Sequence, residues 1–130
     1  MSRNCRYAMR AGNTTTVGHR AERRAEAFLK RRGLKTVARN YACKLGEIDL
    51  IALDGATLAF VEVRFRRSSS HGTAAASVTA TKQRRIARTA AHFLLTHSEW
   101  SRFPTRFDVV ALTQPNYRVQ IEWIRNAFSL

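Results

Sequence analysis

The chain has 130 residues, 45% of them hydrophobic, which predicts one globular domain with its own core and leaves no room for a second. Its 23 Lys and Arg against nine Asp and Glu give a formal net charge of +14. This excess indicates a polyanionic partner and favours nucleic acid over an anionic membrane surface. The alternative explanation is an organism whose proteins are generally rich in arginine. Cys5 and Cys43 form no CxxC pair and predict a reducing, cytoplasmic location. The sequence has no long apolar run, so we expect no secretory signal and no membrane span.

The chain begins with a polar segment and then becomes helical. Residues 1–17 are rich in arginine and lack periodicity, so we expect a flexible basic tail before a domain that spans residues 18–130. From Gly18 to Arg32 apolar residues recur at helical spacing, and Gly33 is a good helix stop. The apolar stripe consists of Ala21, Ala25, Phe28 and Leu29.

Two acids lie on the first helix, and one of them is a candidate for a functional site. Glu22 comes directly after Ala21, at the edge of the apolar stripe, and is the acid best placed to face inward. Glu26 follows four residues later on the same side, so spacing does not separate the two. The alternative for Glu22 is an ordinary acid near the helix N-terminus, where it favours the helix dipole.

The stretch Gly46–Arg64 carries three carboxylates within apolar strand sequence. It follows a first strand at Leu34–Tyr41 and reads as two strands joined at Asp54-Gly55, a dipeptide typical of tight turns. A buried carboxylate is unfavourable unless it is paired or bound to a metal, so this hairpin is a candidate binding site. The three acids are Glu47, Asp49 and Glu62.

Alternation along the strands predicts which of these side chains meet. Glu62 and Arg64 share one face of the second hairpin strand, and Glu47 and Asp49 share one face of the first. A four-residue loop would place Asp49 opposite Glu62, whereas a two-residue turn would place Glu47 there. Directly opposite Cβ atoms lie roughly 5 Å apart. Two carboxylates that close repel each other unless a divalent cation lies between them.

Basic residues dominate the region after the hairpin. Arg66 to Gly72 has the composition of an exposed flexible loop, and Thr79–Thr96 is a second helix with an apolar stripe that begins at Ile86. The basic side chains of both segments are candidates for phosphate contacts that do not read sequence; a solvated linker is the alternative for the loop. These residues are Arg66, Arg67, Lys82, Arg84, Arg85 and Arg88.

Two further strands are predicted near the C-terminus, at Phe107–Leu112 and Val119–Ile124, with a turn around Pro115. Asp108, at the start of the first of them, is either a fourth acid near the site, or it pairs with Arg106 or caps the strand. The full order is therefore α–β–β–β–α–β–β, which predicts an α/β fold with a mixed central sheet flanked by helices.

The carboxylates suit phosphodiester hydrolysis. A metal held by converging carboxylates polarises the phosphoryl oxygens and generates hydroxide, and a nearby cation stabilises the negative charge that develops. Asp49 and Glu62 meet the first requirement and Arg64 the second. A Glu-x-Arg pair alone is more typical of a surface ion pair, but together with the hairpin and the net charge it indicates a nuclease. The four His residues show no zinc spacing, and no Ser–His–Asp arrangement or Gly-rich phosphate loop is visible.

Six sequence blocks carry a family resemblance. They are GxxAE at Gly18–Glu22, GEIDLIALDG at Gly46–Gly55, FVEVR at Phe60–Arg64, TKQRR at Thr81–Arg85, RFDVVAL at Arg106–Leu112 and IEWIRNAF at Ile121–Phe128. In this order they resemble the YraN family of small bacterial proteins, regarded as predicted endonucleases of the restriction-endonuclease-like, or PD-(D/E)xK, superfamily. The resemblance implies a restriction-endonuclease-like mixed sheet and cleavage of DNA with Mg²⁺ or Mn²⁺. The layout is also similar to archaeal Holliday-junction resolvases, which act on branched DNA as homodimers.

The resemblance also implies roles for individual residues. Asp49 and Glu62 would be metal ligands, with the backbone carbonyl of Val63 as a third. Glu22 would bind the metal or orient a water on it. Glu47 would assist these residues at the metal site, or would only hold the hairpin in place.

Arg64 is the one departure from the superfamily pattern, which ends in lysine. A guanidinium stays protonated over the working pH range and cannot act as a general base, although it can hold a phosphate or stabilise charge. Lys44 or Lys82 could supply an ammonium group from another element, but no spacing places either of them at the site. The sequence therefore predicts a metal-dependent DNA endonuclease. The alternatives are a nucleic-acid-binding protein of the same fold with weak or no catalysis, and a basic adaptor that binds a protein.

Overall fold

The structure, a computed structural model, describes residues 16–67, 72–114 and 118–129. Within these ranges the helices and strands follow one another in the predicted order. They are α1 (Thr16–Arg31), β1 (Lys35–Cys43), β2 (Gly46–Asp54), β3 (Thr57–Arg66), α2 (Ala80–Thr96), β4 (Thr105–Thr113) and β5 (Gln120–Phe128), with single-turn 3₁₀ helices at Ala75–Ser77 and Ser98–Trp100. The predicted tail up to residue 15, most of the predicted basic loop (residues 68–71) and the last turn (residues 115–117) lie outside the described residues.

The strands form one mixed sheet in the spatial order β1-β2-β3-β4-β5. The neighbours β1–β2, β2–β3 and β4–β5 are antiparallel, and β3 and β4 are parallel. A parallel pair needs a crossover connection, and α2 provides it. The predicted α/β fold with a mixed central sheet is therefore confirmed.

The two helices cover opposite faces of the sheet, each over its own apolar cluster. On the α1 face, Ala25 and Leu29 pack with strand residues such as Val110. On the α2 face, Ile86 and Phe93 pack with a second set of strand side chains. Both Ala25 and Phe93 are fully buried, as their places in the predicted apolar stripes require. Among the described helices, none is long and apolar enough to cross a membrane.

Local chemistry sets where the helices begin and end. The Thr79 hydroxyl caps α2 and accepts a hydrogen bond from the backbone N–H of Lys82 at 3.2 Å. Gly33 follows α1 with a φ of +94°, the left-handed conformation that ends many helices. The first helix begins at Thr16, two residues before its predicted start, and β5 continues to Phe128, four residues beyond its predicted end.

Asp108 belongs to the core of the fold. Its side chain is fully buried on the α1 face of the sheet. Arg106 donates to it twice, from Nε to Oδ1 at 2.8 Å and from Nη2 to Oδ2 at 2.9 Å. The Trp123 indole N–H donates at 3.0 Å and the backbone N–H of Asn126 at 2.9 Å. Of the roles predicted for Asp108, the pairing with Arg106 is confirmed, and a place at the carboxylate site is wrong because these bonds commit it to the β4–β5 pair.

Gly46 brings the start of β2 against α2. Its φ is +153°, and a Cβ here would lie 2.9 Å from the hydroxyl oxygen of the buried Thr89. We expect Gly46→Ala to lower the free energy of unfolding by about 2–3 kcal/mol through backbone strain and crowding together, measured by urea unfolding. Gly55→Ala is the matched control: Gly55 also has a positive φ, +61°, but a Cβ there meets open space, so only about 1 kcal/mol is lost. Equal losses in the two variants would contradict the close contact.

Candidate metal centre at the fork of the sheet

The sheet divides at one end into two arms. The pair Leu53–Leu58 has the register expected for the four-residue loop, and the β2–β3 ladder ends with the pair Leu50–Val61. Beyond that pair, the start of β2 continues alongside β1, and the end of β3 continues alongside β4. Asp49 and Glu62 are the first residues past the end of the ladder. We call this opening between β2 and β3 the fork.

Asp49 and Glu62 bring their carboxyl groups together inside the fork. Glu62 is 4% exposed, and its carboxyl group and that of Asp49 are close enough to shift each other's pKa. Asp49 Oδ2 accepts a hydrogen bond from the backbone N–H of Val63 at 2.8 Å, so this side chain takes the place of a ladder partner. Because a strand residue directs its N–H and its C=O towards the same neighbour, the Val63 carbonyl also points into the fork. The predicted meeting of the two carboxylates is confirmed.

The carboxyl pair holds protons more tightly than isolated carboxyls do. Burial raises the pKa of Asp49 well above its usual value, and the charges of Glu62 and Glu22 raise it further, while a backbone hydrogen bond and the charge of Lys82 offset part of this rise. Burial also raises the pKa of Glu62, and the nearby cations lower it only in part. Two like charges this close favour either a shared proton or a cation between them.

Two cations flank Glu62, one from its own strand and one from the helix above it. Arg64 places Nη1 3.9 Å from Glu62 Oε2. Lys82, in the first turn of α2, places Nζ 3.3 Å from the same oxygen, although no sequence spacing assigned it to the site. Arg64 Nε and Arg66 Nη1 are buried with no hydrogen-bond partner among the described residues, which leaves donor capacity beside the fork.

Glu22 reaches the fork from α1 with the help of Asn40. The Asn40 side chain donates a hydrogen bond to Glu22 Oε1 at 2.9 Å. In the β1–β2 ladder Asn40 and Asp49 lie between the pairs Arg39–Leu50 and Tyr41–Ile48. The charge of Glu22 contributes to the raised pKa of Asp49. Asn40 is not among the predicted site residues. Its φ of +49° suits asparagine better than most residues, and an asparagine inside strand sequence is the only signal for it.

The regular alternation assumed for β2 is interrupted beside Asp49. Ile48 and Ile51 pack in the same apolar cluster on the α2 face, whereas strict alternation would place them on opposite faces. The interruption lies next to the left-handed Asn40 of β1. Glu47 is half-buried on the β1–β2 arm and lies opposite Ala42, so the alternative that places Glu47 opposite Glu62 is wrong.

Glu26 differs from Glu22 in its contacts. It accepts hydrogen bonds from the Thr36 hydroxyl at 2.6 Å and from Arg39 Nε at 2.8 Å, and Lys30 Nζ lies 3.8 Å away. Burial acts to raise the pKa of Glu26, but these hydrogen bonds and the charges of Arg39 and Lys30 prevail and lower it. Glu26 therefore ties α1 to β1, and Glu22 is the acid that the helix brings towards the fork.

The predicted phosphate-binding residues divide into two groups. Lys82 lies four residues before the buried Ile86, on the side of α2 that faces the sheet. Arg66 is half-buried, and its Nη2 donates to the Gly72 carbonyl at 2.9 Å. The remaining members are exposed at the surface. They are Arg67, Arg84, Arg85 and Arg88.

The oxygen donors of the fork fit a hard divalent cation. Carboxylates and backbone carbonyls are the ligands that Mg²⁺ and Mn²⁺ take in proteins. In the part of the chain that the structure describes, no group of three or more His, Cys, Asp or Glu side chains is arranged to hold a metal ion. A cation at the fork would therefore rest on Asp49, Glu62 and the Val63 carbonyl, with water or substrate oxygens in its other positions, which is typical of Mg²⁺.

The chain is similar to one protein family over most of its length. Uncharacterised protein family UPF0102 matches residues 21–112. A UPF0102 protein of Saccharophagus degradans is 54% identical over 114 residues, which cover 88% of this chain and 93% of the relative. For relatives from Cupriavidus metallidurans and Nitrosomonas europaea the identities are 54% over 122 residues (92% of this chain, 86% of the relative) and 51% over 118 (91% and 95%). The family resemblance is confirmed. The family description names no activity, so the nuclease and superfamily assignments stay predictions.

Proposed function

We propose that this chain, which belongs to Uncharacterised protein family UPF0102, is a metal-dependent nuclease of the restriction-endonuclease-like superfamily that hydrolyses DNA phosphodiester bonds at the fork. One observation carries the proposal: the carboxyl groups of the half-buried Asp49 and the buried Glu62 converge, with Lys82 and Arg64 beside them. Converging carboxylates next to cations are the groups that metal-assisted phosphoryl transfer requires.

Mg²⁺, or Mn²⁺ in its place, fits the donors of the fork. Asp49, Glu62 and the Val63 carbonyl would hold it. When bound, the cation supplies Lewis-acid stabilisation of the phosphoryl oxygens. The raised pKa values of both carboxyls mean that a proton must leave the pair before both oxygen sets can serve as ligands.

The chain's own groups orient the reactants. Arg64 can donate hydrogen bonds to a phosphate oxygen, and Glu22, anchored by Asn40, would orient a water towards the phosphorus. The water oxygen then bonds to phosphorus, and the bond from phosphorus to the leaving sugar oxygen breaks. One proton passes from the water to solvent, and the leaving oxygen takes one from solvent. Glu47 assists this arrangement or holds the β1–β2 arm.

The charge of the chain supports nucleic acid as the substrate. A net charge of +14 and the exposed arginines of α2 favour phosphate contacts that do not depend on sequence. The likeness to archaeal Holliday-junction resolvases extends the proposal to branched or structured DNA and a homodimer in solution, and the two unpaired cysteines extend it to a cytoplasmic location. Binding should therefore weaken steeply as salt is added.

Cleavage assays on the purified protein test the proposal. Supercoiled plasmid, four-way junction and flap substrates are incubated with Mg²⁺ or Mn²⁺, and we expect the wild-type protein to cut at least one of them. Glu62→Gln should lose about a hundredfold or more, because the amide lacks the charge that binds the cation. Glu122→Gln is the matched control, since Glu122 is exposed on β5. Equal cleavage by wild type and Glu62→Gln, or cleavage that persists in EDTA, would contradict the proposal.

A nucleic-acid-binding protein without catalysis is the second candidate, and Arg64 is the residue that favours it. A guanidinium 3.9 Å from Glu62 stands where the superfamily pattern has lysine, and it cannot exchange protons as an amine does. This candidate predicts salt-sensitive binding and no cleavage with either cation. If Arg64→Lys cleaves DNA and the wild-type protein does not, the wild-type protein is the binding protein without catalysis.

A further inference from the structure

The ammonium group nearest to Glu62 comes from α2. Lys82 Nζ lies 3.3 Å from Glu62 Oε2, whereas Arg64 Nη1 lies 3.9 Å from it. The carboxylate is buried, while the Lys82 side chain is 43% exposed. Lys82 therefore reaches from solvent to the buried carboxylate, and its exposed side chain is accessible to a phosphate group.

Contacts in the first turn of α2 hold Lys82 so that its side chain points towards Glu62. Its backbone N–H donates to the Thr79 hydroxyl at 3.2 Å, and the next side chain, Gln83, donates to the Val78 carbonyl at 3.0 Å. Ile86, four residues on and on the same side of the helix, is buried in the α2-face cluster. The first turn of α2 is thus fixed on a helix that packs against β2 and β1, so the approach of Lys82 to Glu62 follows from the placement of the helix.

Arg64 is held differently. Its contact with Glu62 is longer, and its Nε is buried with no hydrogen-bond partner among the described residues. A guanidinium presents its donors in a rigid planar fork, whereas a lysine ammonium is a compact charge with three donors that can turn from one oxygen to another. Lys82 is therefore the better placed of the two to move a hydrogen bond from the Glu62 carboxylate to a phosphate oxygen.

We propose that Lys82 is the catalytic cation of the fork, an assignment that rests on the proposed nuclease function. Its ammonium group donates hydrogen bonds to a non-bridging oxygen of the scissile phosphate and keeps its protons throughout. It stabilises the negative charge that develops while the water oxygen bonds to phosphorus and the leaving sugar oxygen departs. Helix α2, rather than strand β3, carries this charge, and Arg64 has the smaller share.

Cleavage rates of matched variants test the assignment. Lys82→Met should lose about 10²–10³-fold, Arg64→Met should lose less, and Lys82→Arg should recover part of the rate because it restores the charge. Lys35→Met is the control: Lys35 is an exposed lysine of β1, and its loss should stay within about threefold, as for a distant phosphate contact. Equal losses in Lys82→Met and Lys35→Met, or a larger loss in Arg64→Met than in Lys82→Met, would overturn the assignment.

Calorimetric titration with Mn²⁺ in the absence of DNA adds a measurement that does not depend on activity. At pH 8, Lys82→Met should bind Mn²⁺ about three- to tenfold more tightly than wild type, because the ion pair with Glu62 no longer competes with the cation. Lys35→Met should bind as wild type does, and an unchanged affinity in Lys82→Met would overturn the assignment. If the wild-type protein binds Mn²⁺ and does not cleave, the nuclease function fails and the role of Lys82 with it. If wild type and Lys82→Met cleave equally, only the role of Lys82 fails.

Discussion

Replacement of Asp49 by asparagine is expected to remove metal-dependent cleavage and to stabilise the fold at the same time. The amide carries no charge for a divalent cation, so activity should fall by about a thousandfold or more. The amide oxygen can still accept the Val63 N–H, and the amide nitrogen can donate to Glu62. A loss of activity joined to a gain in stability distinguishes a functional carboxylate from a structural one.

The gain in stability follows from the pKa of Asp49. Burial and the charge of Glu62 raise this pKa in the folded protein well above its usual value of 3.8. Between the two pKa values the folded state binds more protons than the unfolded state, so stability falls as the pH rises from the lower value towards the higher. Asparagine does not titrate and lacks this decline. Glu26 contributes a pH dependence of stability of the opposite sign. Its lowered pKa stabilises the fold at neutral pH, and this stabilisation is lost on acidification.

Thermal unfolding in EDTA between pH 4 and pH 8 measures the effect. The Tm of Asp49→Asn should exceed that of wild type by a margin that widens as the pH rises. In a chain of this size, each kcal/mol of free energy of unfolding corresponds to roughly 3–5 °C in Tm. Glu122→Gln, which loses an exposed carboxylate, should follow wild type. Added Mn²⁺ should raise the Tm of wild type and leave that of Asp49→Asn unchanged. An Asp49→Asn variant less stable than wild type at neutral pH would contradict the raised pKa.

The largest loss of stability is expected from Asp108→Ala. This change leaves the Arg106 guanidinium, whose side chain is only 18% exposed, without its bidentate partner. It also removes the acceptor of the Trp123 indole and of the Asn126 backbone N–H. Breaking a buried ion pair from one side costs about 3–5 kcal/mol, a large share of the roughly 5–15 kcal/mol that holds a typical domain together.

Urea unfolding measures this loss, and Asp54→Ala is the matched control. Asp54 also pairs with Arg106, at 2.9 Å, but its side chain is 28% exposed, so its removal should cost about 1 kcal/mol or less. Metal-dependent cleavage should persist in Asp108→Ala at temperatures where the variant is folded. Equal losses of stability in the two variants, or a folded Asp108→Ala protein without activity, would contradict the structural role of Asp108.

Much of the fold follows from local patterns in the sequence. The helical stripes that contain Ala25 and Phe93 face the core as their spacing requires, and both residues are fully buried. The meeting of Asp49 and Glu62 follows from the even length of the loop that joins their strands, which preserves the faces. These predictions succeed because each depends on residues close together in the chain.

The remaining features of the site depend on contacts between distant parts of the chain. Lys82 reaches Glu62 only because the crossover connection between β3 and β4 lays α2 against β2 and β1, and no spacing encodes that placement. Glu22 and Glu26 differ only through their partners on β1, which the helix pattern does not contain. The end of the β2–β3 ladder, which creates the fork, is likewise set by how each strand pairs with its outer neighbour.

A manganese soak of crystals tests the metal centre most directly, because Mn²⁺ gives an anomalous scattering signal. We predict an anomalous difference peak in wild-type crystals between the carboxylates of Asp49 and Glu62, beside the Val63 carbonyl. Crystals of Asp49→Asn, soaked in the same way, should lack it. Wild-type crystals with no peak at the fork, at Mn²⁺ concentrations that give peaks elsewhere on the protein, would contradict the claim that the fork is a metal centre.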